Sequence, residues 1–386
     1  MAHYEVIIVG AGPAGLSTAL HLQQMAPELA ERTLILEKAR HPRTKLCGGG
    51  VTPDAERVLG RLGLDVTEVP HVDLVSAHFL FEGKGIPLRL GETYAFRVIH
   101  REELDAWLAQ KARERGLAIL EETPVQRAIL GEGGVELITS RGTYQAKVVV
   151  GADGAHSVIR RSVIGQHRSP FAYALVLWAP PNQQSLHCPD VGYFDFFCVS
   201  RGVLGYVWDF PILIRGQTMR SWGICQLGVR REDGRRRMIH LLAGELARHG
   251  YRLDDYPLYG ESVPLFRSGG LFSAPHVLLV GDAAGVDGVF GEGIGPALGQ
   301  GEVAARAICD AFMSGDFSFR NYRTDLLKSD VGRSLRRREV FASLFYRLRH
   351  PVIQRLIWWR SGMIIGFLVK NFLLGWTKSY EKRETK

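Results

Sequence analysis

The chain opens with the pattern of a strand, a glycine-rich turn and a helix. Residues 4–9 form a short apolar run of the buried-strand type, and residues 14–25 repeat apolar side chains at helical spacing. Residues 33–37 form a second apolar run. A strand, a helix and a second strand in this order predict a βαβ unit and hence an α/β fold.

Elements of the same types recur further along the chain. Helical spacing of apolar residues predicts a helix over residues 101–115, and a buried strand predicted over residues 277–281 precedes a helix predicted over residues 302–313. Short strands are predicted at residues 118–120, 135–139 and 147–150. The α/β elements therefore extend from the start of the chain to its last third.

Residues 171–230 have a different character, because aromatic and β-branched residues alternate there. The alternation predicts an antiparallel sheet with one face available to a substrate. Its strands are predicted at residues 171–178, 192–199, 203–210 and 219–229. No repeat or low-complexity linker separates this sheet from its neighbours, so we expect two interleaved domains. We place the α/β domain in residues 1–70, 98–165 and 270–320, a second domain with the antiparallel sheet in residues 71–97 and 166–269, and a basic helical segment in residues 321–386.

The composition is that of a globular protein, with 46% hydrophobic and 23% charged residues among 386. The 44 glycines exceed the usual share of about 7% and indicate tight turns and close backbone approaches. Five cysteines without zinc-like or CxxC spacing favour a reducing compartment, and no metal site is predicted. The first residues lack the basic segment of a signal peptide, so a cytoplasmic location is expected.

The net charge of +8 is concentrated near the C-terminus, where residues 319–386 contain 16 Lys and Arg against 5 Asp and Glu. The longest stretch without charge there, residues 361–369, is far shorter than the about 20 residues of a membrane span. Basic residues beside apolar ones and beside Trp358, Trp359 and Trp376 favour a peripheral contact with an anionic membrane over nucleic acid. A helical cap packed on the dinucleotide-binding domain is the alternative.

The turn after the first strand carries a phosphate-binding pattern, Gly10-Ala11-Gly12-Pro13-Ala14-Gly15. In a GxGxxG turn the first glycine permits the tight turn, the second admits a pyrophosphate and the third lets the helix pack closely on the strand. Glu37 ends the second strand, where a carboxylate accepts hydrogen bonds from ribose hydroxyls and disfavours a 2′-phosphate. The pattern predicts a dinucleotide other than NADP, and a glycine turn without a ligand is the alternative.

A late motif indicates FAD in particular. The run Val280-Gly281-Asp282-Ala283-Ala284-Gly285, followed by Gly291-Glu292-Gly293-Ile294-Gly295, resembles the GD motif of flavoproteins of the p-hydroxybenzoate hydroxylase class. The resemblance implies that Gly281 and Asp282 lie at the ribityl chain. It also implies that Gly293 and Ile294 begin a helix facing the pyrimidine end of the flavin, where its dipole would stabilise negative charge.

A middle motif, Gly151-Ala152-Asp153-Gly154, resembles the DG motif of the same class, which supports the cofactor site through Asp153. Each motif alone could be an ordinary Asp-Gly turn. The resemblance further implies that Arg101 reaches the FAD phosphates or ribityl region and that the backbone of Val125 meets the adenine. A solvated arginine at a helix start is the alternative for Arg101. The sequence has no second GxGxxG unit, so an external reductant, NADPH or ferredoxin, is expected to act without a recognisable motif.

Two segments are similar to those of the geranylgeranyl reductases within this class. Cys47-Gly48-Gly49-Gly50 matches their CGG segment, and Tyr206-Val207-Trp208-Asp209-Phe210-Pro211 matches their YxWxFP motif. In a strand Tyr206, Trp208 and Phe210 share one face, which would form an aromatic wall for an extended apolar substrate. Ordinary packing of the sheet core is the alternative. The family's glycines after this motif are matched only loosely, by Gly223 and Gly228.

The resemblance implies a fold and a reaction. The fold is a Rossmann-like FAD-binding domain of the p-hydroxybenzoate hydroxylase type, interleaved with an antiparallel-sheet substrate domain and followed by helices. The reaction is hydride delivery from FAD to one carbon of an isoprenoid double bond, with a proton reaching the other. Cys47 and Tyr206 are the candidate catalytic groups, and Tyr206, Trp208, Phe210 and Pro211 the candidate substrate contacts. Cys47, with Gly48 and Gly50, is also placed near the flavin ring, where a packing role is the alternative for its thiol.

Three functions are compatible with this sequence. The first is an FAD-dependent reductase of geranylgeranyl-type double bonds in a lipid, a chlorin or a quinone. The second is an FAD-dependent monooxygenase acting on an apolar or aromatic small molecule, which would couple oxygen consumption to hydroxylation. The third is a flavin-bearing, membrane-associated binding protein, in which no donor would reduce the flavin at a useful rate.

Overall fold

The computed structural model describes residues 2–91, 93–165, 171–227 and 231–377, without the side chains of residues 231–233 and 372. The last two residues of the strand predicted at 219–229, Gly228 among them, lie outside the described residues, as does the end of the basic segment, residues 378–386. The described strands are β1 (Ala2–Val9), β2 (Thr33–Leu36), β3 (Gly50–Val51), β4 (His71–Leu74), β5 (Ser76–Phe81), β6 (Lys84–Leu88), β7 (Phe96–Ile99), β8 (Ala118–Leu120), β9 (Val125–Gly131), β10 (Gly134–Thr139), β11 (Gly142–Gly151), β12 (Phe171–Ala179), β13 (Val191–Asp195), β14 (Gly205–Ile214), β15 (Gln217–Leu227), β16 (Tyr259–Pro264), β17 (Ser273–Ala274) and β18 (Val277–Leu279).

The α-helices follow the strands in the way the α/β pattern predicts. They are α1 (Pro13–Met25), α2 (Pro27–Ala30), α3 (Pro53–Arg61), α4 (Arg101–Glu114), α5 (Arg231–Arg248), α6 (Ile294–Ser314), α7 (Tyr322–Lys328), α8 (Asp330–Phe345), α9 (Pro351–Arg355) and α10 (Gly362–Leu368). Short π-helical turns, Leu356–Arg360 and Val369–Leu373, follow α9 and α10.

The first sheet has eight strands and contains the predicted βαβ unit. Strands β18, β11, β1, β2 and β8 lie side by side and parallel, with β17, β9 and β10 added in antiparallel pairings. Val6, Ile7 and Ile8 of β1 are fully buried, as expected for a central strand covered on both faces. Helix α1 is buried between this sheet and α6. The predicted α/β fold class is confirmed.

The second sheet has seven strands in the order β16-β12-β15-β14-β13-β5-β6. All of its pairings are antiparallel except that of β13 with β5. The strand predicted at residues 192–199 ends at Asp195, because the Asp195 carboxylate accepts the Phe197 N–H at 2.9 Å and starts a short 3-10 turn, Phe197–Arg201. A third, small sheet has three strands in the order β3-β7-β4.

Two helices differ from the sequence prediction. Helix α5 was not predicted, because its first turns are dominated by charge, yet Met238, Leu242 and Leu246 are buried beside Trp222 of the second sheet. Helix α6 starts at Ile294, eight residues before the predicted residue 302. Its first turns are rich in glycine and alanine, so they lack the large apolar residues that make helical spacing visible.

Asp195 gives the fold a testable pH dependence. Its carboxylate accepts backbone N–H groups of Glu82, Gly83 and Phe197, and it is 6% exposed. Burial raises the pKa of Asp195 from 3.8 to about 6. Between these values the folded state binds more protons than the unfolded chain. The stabilisation by this group is therefore complete below pH 3.8 and is lost as the pH rises through about 6.

The variant Asp195→Asn cannot titrate, so it should lack the pH-dependent loss of stability that the native protein shows. We expect it to destabilise the protein most at pH 4, with the difference in unfolding free energy from the native protein shrinking by about 2 kcal/mol by pH 7. Urea denaturation followed by circular dichroism at several pH values measures this difference. The exposed Asp190→Asn is the control, and a pH-independent difference for Asp195→Asn would contradict the prediction.

Candidate functional site

A cavity of about 400 Å³ lies where the first sheet, α6 and the second sheet meet. Its lining brings together the segments that the sequence singled out, from the glycine turn at one end to the aromatic residues of β14 at the other. All of the predicted site residues line this cavity except Gly15 and Pro211. The motifs are far apart in sequence, so their meeting is a result of the fold.

Two glycines of the turn, Gly10 and Gly15, leave no room for side chains. A Cβ atom at Gly10 would lie 2.3 Å from the carbonyl oxygen of Ala152, and one at Gly15 would lie 2.0 Å from the carbonyl oxygen of Gly10. Gly10 also has φ +108°, which L side chains rarely adopt. Gly15 therefore has a structural role outside the cavity, since it lets α1 approach the turn, while Gly12, Pro13 and Ala14 face the cavity.

Glu37 holds the glycine turn from the end of β2. Its carboxylate accepts the backbone N–H of Ala11 at 2.7 Å and that of Ala39 at 3.1 Å, and the residue is buried. It also lines the cavity, on the side where Val125 and Thr123 lie. The ribose contact of Glu37 and the adenine contact of Val125 stay predictions, and the structure adds that Glu37 fixes the turn itself.

Two arginines form a cationic edge beside Gly12. Arg101, the first residue of α4, forms a bidentate ion pair with Asp105 at 2.8 and 2.9 Å, so it is not the solvated arginine of the alternative interpretation. Burial acts to lower the pKa of Arg101, but Asp105 outweighs it and holds that pKa above its ordinary value. The charge therefore persists in the cavity wall at any physiological pH.

Arg43 is the second arginine, and the sequence analysis did not identify it. It lies 3.3 Å from Asp105 and 3.4 Å from Glu37, and its buried Nε forms no hydrogen bond within the described residues. A Cβ atom at Gly12 would lie 3.5 Å from Nη2 of Arg43. Arg43 lies in a loop, where side chains follow no periodic pattern. The only signal for it in the sequence was therefore its position as a basic residue shortly after β2.

The DG and GD motifs support each other through one side chain. Asp153 accepts the N–H groups of Val158 and Ile159 at 2.6 and 3.1 Å, which holds the turn before Arg160. Arg160 then donates from Nε to the carbonyl oxygen of Ala283 at 2.7 Å. Burial raises the pKa of Asp153 and lowers that of Arg160 to about 10. The structural role implied for Asp153 is thus visible as a chain of hydrogen bonds that ends at the GD motif.

Asp282, which precedes Ala283 in the GD motif, lines the cavity. Its carboxylate is 3.9 Å from Nζ of Lys45, which also lies 3.3 Å from Glu261 of β16. The adjacent Gly281 donates its N–H to Gln300 Oε1 at 2.6 Å, so α6 fixes the turn. Lys45 precedes the CGGG segment by two residues and was not predicted.

The start of α6 rests on a buried charge network. Glu292, immediately before the N-cap Gly293, lies 2.5 Å from Nη1 of Arg338 and accepts the Thr52 hydroxyl at 2.6 Å. Arg338, on α8, is 1% exposed and also lies 3.4 Å from Asp287. Burial raises the pKa of Glu292, while Arg338 acts to lower it. The predicted position of Gly293 and Ile294 at a helix N-terminus facing the cavity is observed.

The aromatic face of β14 meets the CGGG segment on one wall of the cavity. Tyr206, Trp208 and Phe210 all line it, as strand alternation predicts. A Cβ atom at Gly48 would lie 3.3 Å from the Phe210 ring and 3.4 Å from the Trp208 indole nitrogen. The two segments that most resemble geranylgeranyl reductases are therefore in direct contact.

Pro211 does not join this wall. As the next residue along β14 after Phe210 it belongs to the opposite face of the sheet, and it does not line the cavity. Its prediction as a substrate contact is therefore corrected: Pro211 is a buried residue of the strand.

The two candidate proton donors have different surroundings. The Tyr206 hydroxyl donates to the carbonyl oxygen of Phe290, and burial raises the pKa of Tyr206 well above its ordinary value. Cys47 is half-buried and lines the cavity, and its Sγ accepts the Gly49 N–H at 3.3 Å. The thiol hydrogen of Cys47 is thus uncommitted to a protein acceptor in the described residues, whereas the phenol hydrogen of Tyr206 is engaged.

These residues fit FAD. Glycines without side chains allow a pyrophosphate to approach the N-terminus of α1, where N–H groups and the helix dipole favour anions. Arg43 and Arg101 add positive charge there, and the Nε of Arg43, which lies 3.4 Å from Glu37 without forming a hydrogen bond in the described residues, is a donor that an anionic group would satisfy. At the other end, flat aromatic side chains and the glycines of residues 48–50 leave a slot for a planar ring system.

Comparisons with known proteins agree with this fit. Residues 3–187 match the family model described as an FAD binding domain. The chain is 26% identical to digeranylgeranylglycerophospholipid reductase 2 of Methanothermobacter thermautotrophicus over 98% of this chain and 97% of that protein. It is 27% identical to the menaquinone reductase of Mycolicibacterium smegmatis over 78% of this chain and 75% of that protein.

Solved structures share the fold. A geranylgeranyl bacteriochlorophyll reductase-like protein of Thermoplasma acidophilum superposes with a TM-score of 0.77 at 20% identity, with 99% of each chain covered. Flavin-dependent halogenases have the same fold as well. At these identities the superpositions establish the architecture alone, so the reaction must be argued from the cavity.

The buried network at the start of α6 yields a stability prediction. Replacing Arg338 by Met would leave Glu292 and Asp287 buried without their cation, which should destabilise the protein by about 3–5 kcal/mol. Arg336→Met, on the exposed side of the same helix, should change the unfolding free energy by less than about 0.5 kcal/mol. Urea denaturation followed by circular dichroism compares the two variants. Equal stability of both would show that the network contributes nothing to the fold.

Proposed function

We propose that this chain, which belongs to the FAD-dependent oxidoreductases that carry this FAD-binding domain, reduces carbon–carbon double bonds of an isoprenoid chain. The observation that supports the proposal best is the contact between Gly48 and the rings of Trp208 and Phe210. It joins the segment expected beside the flavin to the aromatic wall expected beside the substrate. A substrate on that wall would therefore lie next to the cofactor.

The cavity beyond this contact suits an apolar chain. Its wall is built from the rings of Phe79, Phe96 and Phe194 together with Val176 and Leu90. Phe194 packs against Phe210 with ring centroids 4.9 Å apart, and Phe96 meets Phe210 edge to face at 5.5 Å. Such a lining offers an isoprenoid chain a large contact area and excludes water. It offers few hydrogen bonds. We infer that the substrate is recognised by shape and apolar surface.

The chain's own residues position the substrate and donate a proton. When bound, FAD supplies the hydride that such a reduction needs. We assign proton donation to Cys47 Sγ, which lines the cavity next to Gly48. Tyr206 has a positioning role instead, because its hydroxyl holds the Phe290 carbonyl and thereby the loop before α6. The rings of Trp208 and Phe210 line the same space, and a ring face turned toward the alkene would stabilise positive charge that develops on it.

The relatives support this class of substrate at a coarse level. Their names describe a reductase of digeranylgeranylglycerophospholipids and a reductase of menaquinone, and both compounds carry isoprenoid chains. The relation to each is distant, with about one residue in four identical. It supports prenyl reduction as the reaction class without selecting a lipid or a quinone headgroup.

The first experiment distinguishes reduction from oxygenation. The purified holoprotein, chemically reduced under argon, should transfer its electrons to a geranylgeranyl-bearing lipid, and the flavin absorbance should return without oxygen. Mass spectrometry should show products heavier by two hydrogens per reduced bond. The control is the same lipid with all the double bonds of its isoprenoid chains saturated beforehand. If the absorbance returns only in air and the product gains oxygen, the protein is a monooxygenase and the proposal is wrong.

The second experiment tests Cys47. Cys47→Ala should lower kcat by about a hundredfold or more, because general acid catalysis typically contributes at least this much. The KM for the lipid and the bound fraction of FAD, read from its absorbance, should change little. Cys309→Ala, at a half-buried cysteine outside the cavity, is the matched control. Unchanged kcat in Cys47→Ala would leave Cys47 with only a packing role.

A further inference from the structure

We propose that the bent helix pair near the C-terminus docks on the surface of an anionic lipid bilayer and brings the apolar end of the cavity to it. The pair consists of Pro351–Arg360 and Gly362–Asn371, which meet at 79°. Within the described residues, no single helix has the length and apolar character to cross a membrane, while this bent pair meets both criteria when its two arms are taken together. Docking is independent of the proposed function, but the delivery of substrate from the bilayer rests on it.

The inner side of both arms packs on one edge of the second sheet. Trp358 is buried and stacks on Phe196 with centroids 4.8 Å apart. In the second arm a Cβ atom at Gly362 would lie 2.1 Å from Ile86, and one at Gly366 would lie 2.8 Å from Leu88, both on β6. Trp358 also stacks on Phe79 of β5, with centroids 6.4 Å apart. Because both arms face β5 and β6 with these residues, their opposite sides point away from the protein together.

The outer side is apolar and exposed. We call it the docking face, and its members share exposure of more than a third of the side chain's surface. They are Val352 (62%), Ile353 (38%), Leu356 (52%), Trp359 (41%), Met363 (91%), Ile364 (66%), Phe367 (61%) and Leu368 (36%). Scattered exposed apolar residues are ordinary, but eight within seventeen positions of one surface segment mark an interaction site.

The charges around the docking face select an anionic bilayer as its occupant. Between residues 341 and 377 the sequence has five Lys and Arg and no Asp or Glu. Arg355 and Lys84 both lie over the Trp359 ring, at 5.4 and 5.3 Å, and Arg355 is also paired with Glu82 at 2.9 Å, which leaves Lys84 as the uncompensated charge of the two within the described residues. A tryptophan flanked by cations suits the headgroup level of a bilayer, where the ring is half-immersed and the cations meet phosphates.

This face also corrects the sequence prediction for the tryptophans. Trp358 and Trp376 are buried at 3% and 8% exposure, so they anchor the segment to the protein. Trp359 alone of the three is available to an interface, and its Nε1 donates to the Phe81 carbonyl at 2.9 Å. The sequence left a packed helical cap and a membrane contact as alternatives. In the structure the segment has one side anchored to the protein and another side that is exposed.

The apolar end of the cavity adjoins the anchored side of the helix pair. Leu374, three residues after the second arm, lines the cavity, and so does Leu90, two residues after the strand that carries Ile86 and Leu88. The residues that anchor the second arm therefore adjoin those that form the apolar end of the cavity. A prenyl chain leaving the bilayer at the docking face would pass from one apolar surface to the next.

Vesicle binding by the full-length holoprotein tests the docking face. The protein should co-sediment with phosphatidylglycerol vesicles, more weakly with phosphatidylcholine vesicles, and less in high salt. The triple variant L356S/M363S/I364S should lose at least tenfold in binding to phosphatidylglycerol. The control, L186S/L271S/M313S, replaces three residues that are 70%, 62% and 79% exposed elsewhere, and it should bind as the native protein does.

Three results would overturn the docking face. The first is native protein that does not bind phosphatidylglycerol vesicles, and the second is equal binding by both triple variants. The third is a native dimer in sedimentation velocity that the first triple variant converts to monomers while vesicle binding is absent. In that case the face is a contact between two copies of this chain.

A pair of substrates separates this proposal from the proposed function. L356S/M363S/I364S should keep its turnover of a short, water-soluble prenyl alcohol and lose turnover of a geranylgeranyl lipid embedded in vesicles by at least tenfold. Equal loss on both substrates overturns delivery from the bilayer. If the native protein binds vesicles but reduces neither substrate, the proposed function fails while the docking face is supported.

Discussion

The site depends on a backbone contact that side chains would prevent. Around the N-terminus of α1, Gly10 lies against Ala152, Gly281 lies against Ala14, and a Cβ atom at either would come within 2.7 Å of its neighbour. Each contact joins the glycine turn to a different later motif, DG in the first case and GD in the second. The three motifs form one cavity wall because the backbones can approach this closely. A single added methyl group at these contacts would separate elements on which the entire lining relies.

A second constraint joins the C-terminal helices to this wall. Arg338 crosses from α8 to Glu292 beside the start of α6, and its Nε donates to the Leu373 carbonyl at 2.7 Å. Asp54 completes the connection, because its carboxylate accepts the N–H groups of Gly375, Trp376 and Thr377. Buried charges of this kind are costly unless every partner is in place. The C-terminal segment is therefore part of the architecture of the site, and its exposed face has a fixed orientation.

The sequence predicted the parts of the site that depend on backbone and periodicity. The glycine turn, the DG and GD motifs and the shared face of Tyr206, Trp208 and Phe210 all follow from local patterns, and the structure brings them together at one cavity. Arg43, Lys45 and Arg338 were missed because a lone basic residue in a loop or on a charged helix has no period. Their partners, Glu37, Glu261 and Glu292, are contacts across the fold that only tertiary structure creates.

The same limit explains the errors in the prediction. Pro211 belongs to the YxWxFP motif by sequence, but successive residues of a strand point to opposite faces, so Pro211 and Phe210 lie on different faces of β14. The prediction treated the motif as one unit and therefore missed this alternation. Trp358 and Trp376 suit an interface by residue type, yet residue type does not say which side of a helix faces the protein. Helix α5 was missed because its buried face is narrow and its other sides are charged.

The aromatic wall and the docking segment share one hydrophobic cluster, and this connection limits how either can change. Phe79 stacks on Phe194 at 4.7 Å, Phe196 stacks on Trp358 at 4.8 Å, and all four belong to the cluster that contains Tyr206, Trp208 and Phe210. Densely packed aromatic side chains move in concert, since a shift of one leaves a void or an overlap at the next. A flavin scaffold of this fold hosts different reactions in different proteins, and here the aromatic wall of the cavity and the anchored side of the C-terminal helix pair belong to one packed cluster. That shared packing is the physical reason for which we propose to connect the chemistry of the cavity with a substrate drawn from a membrane.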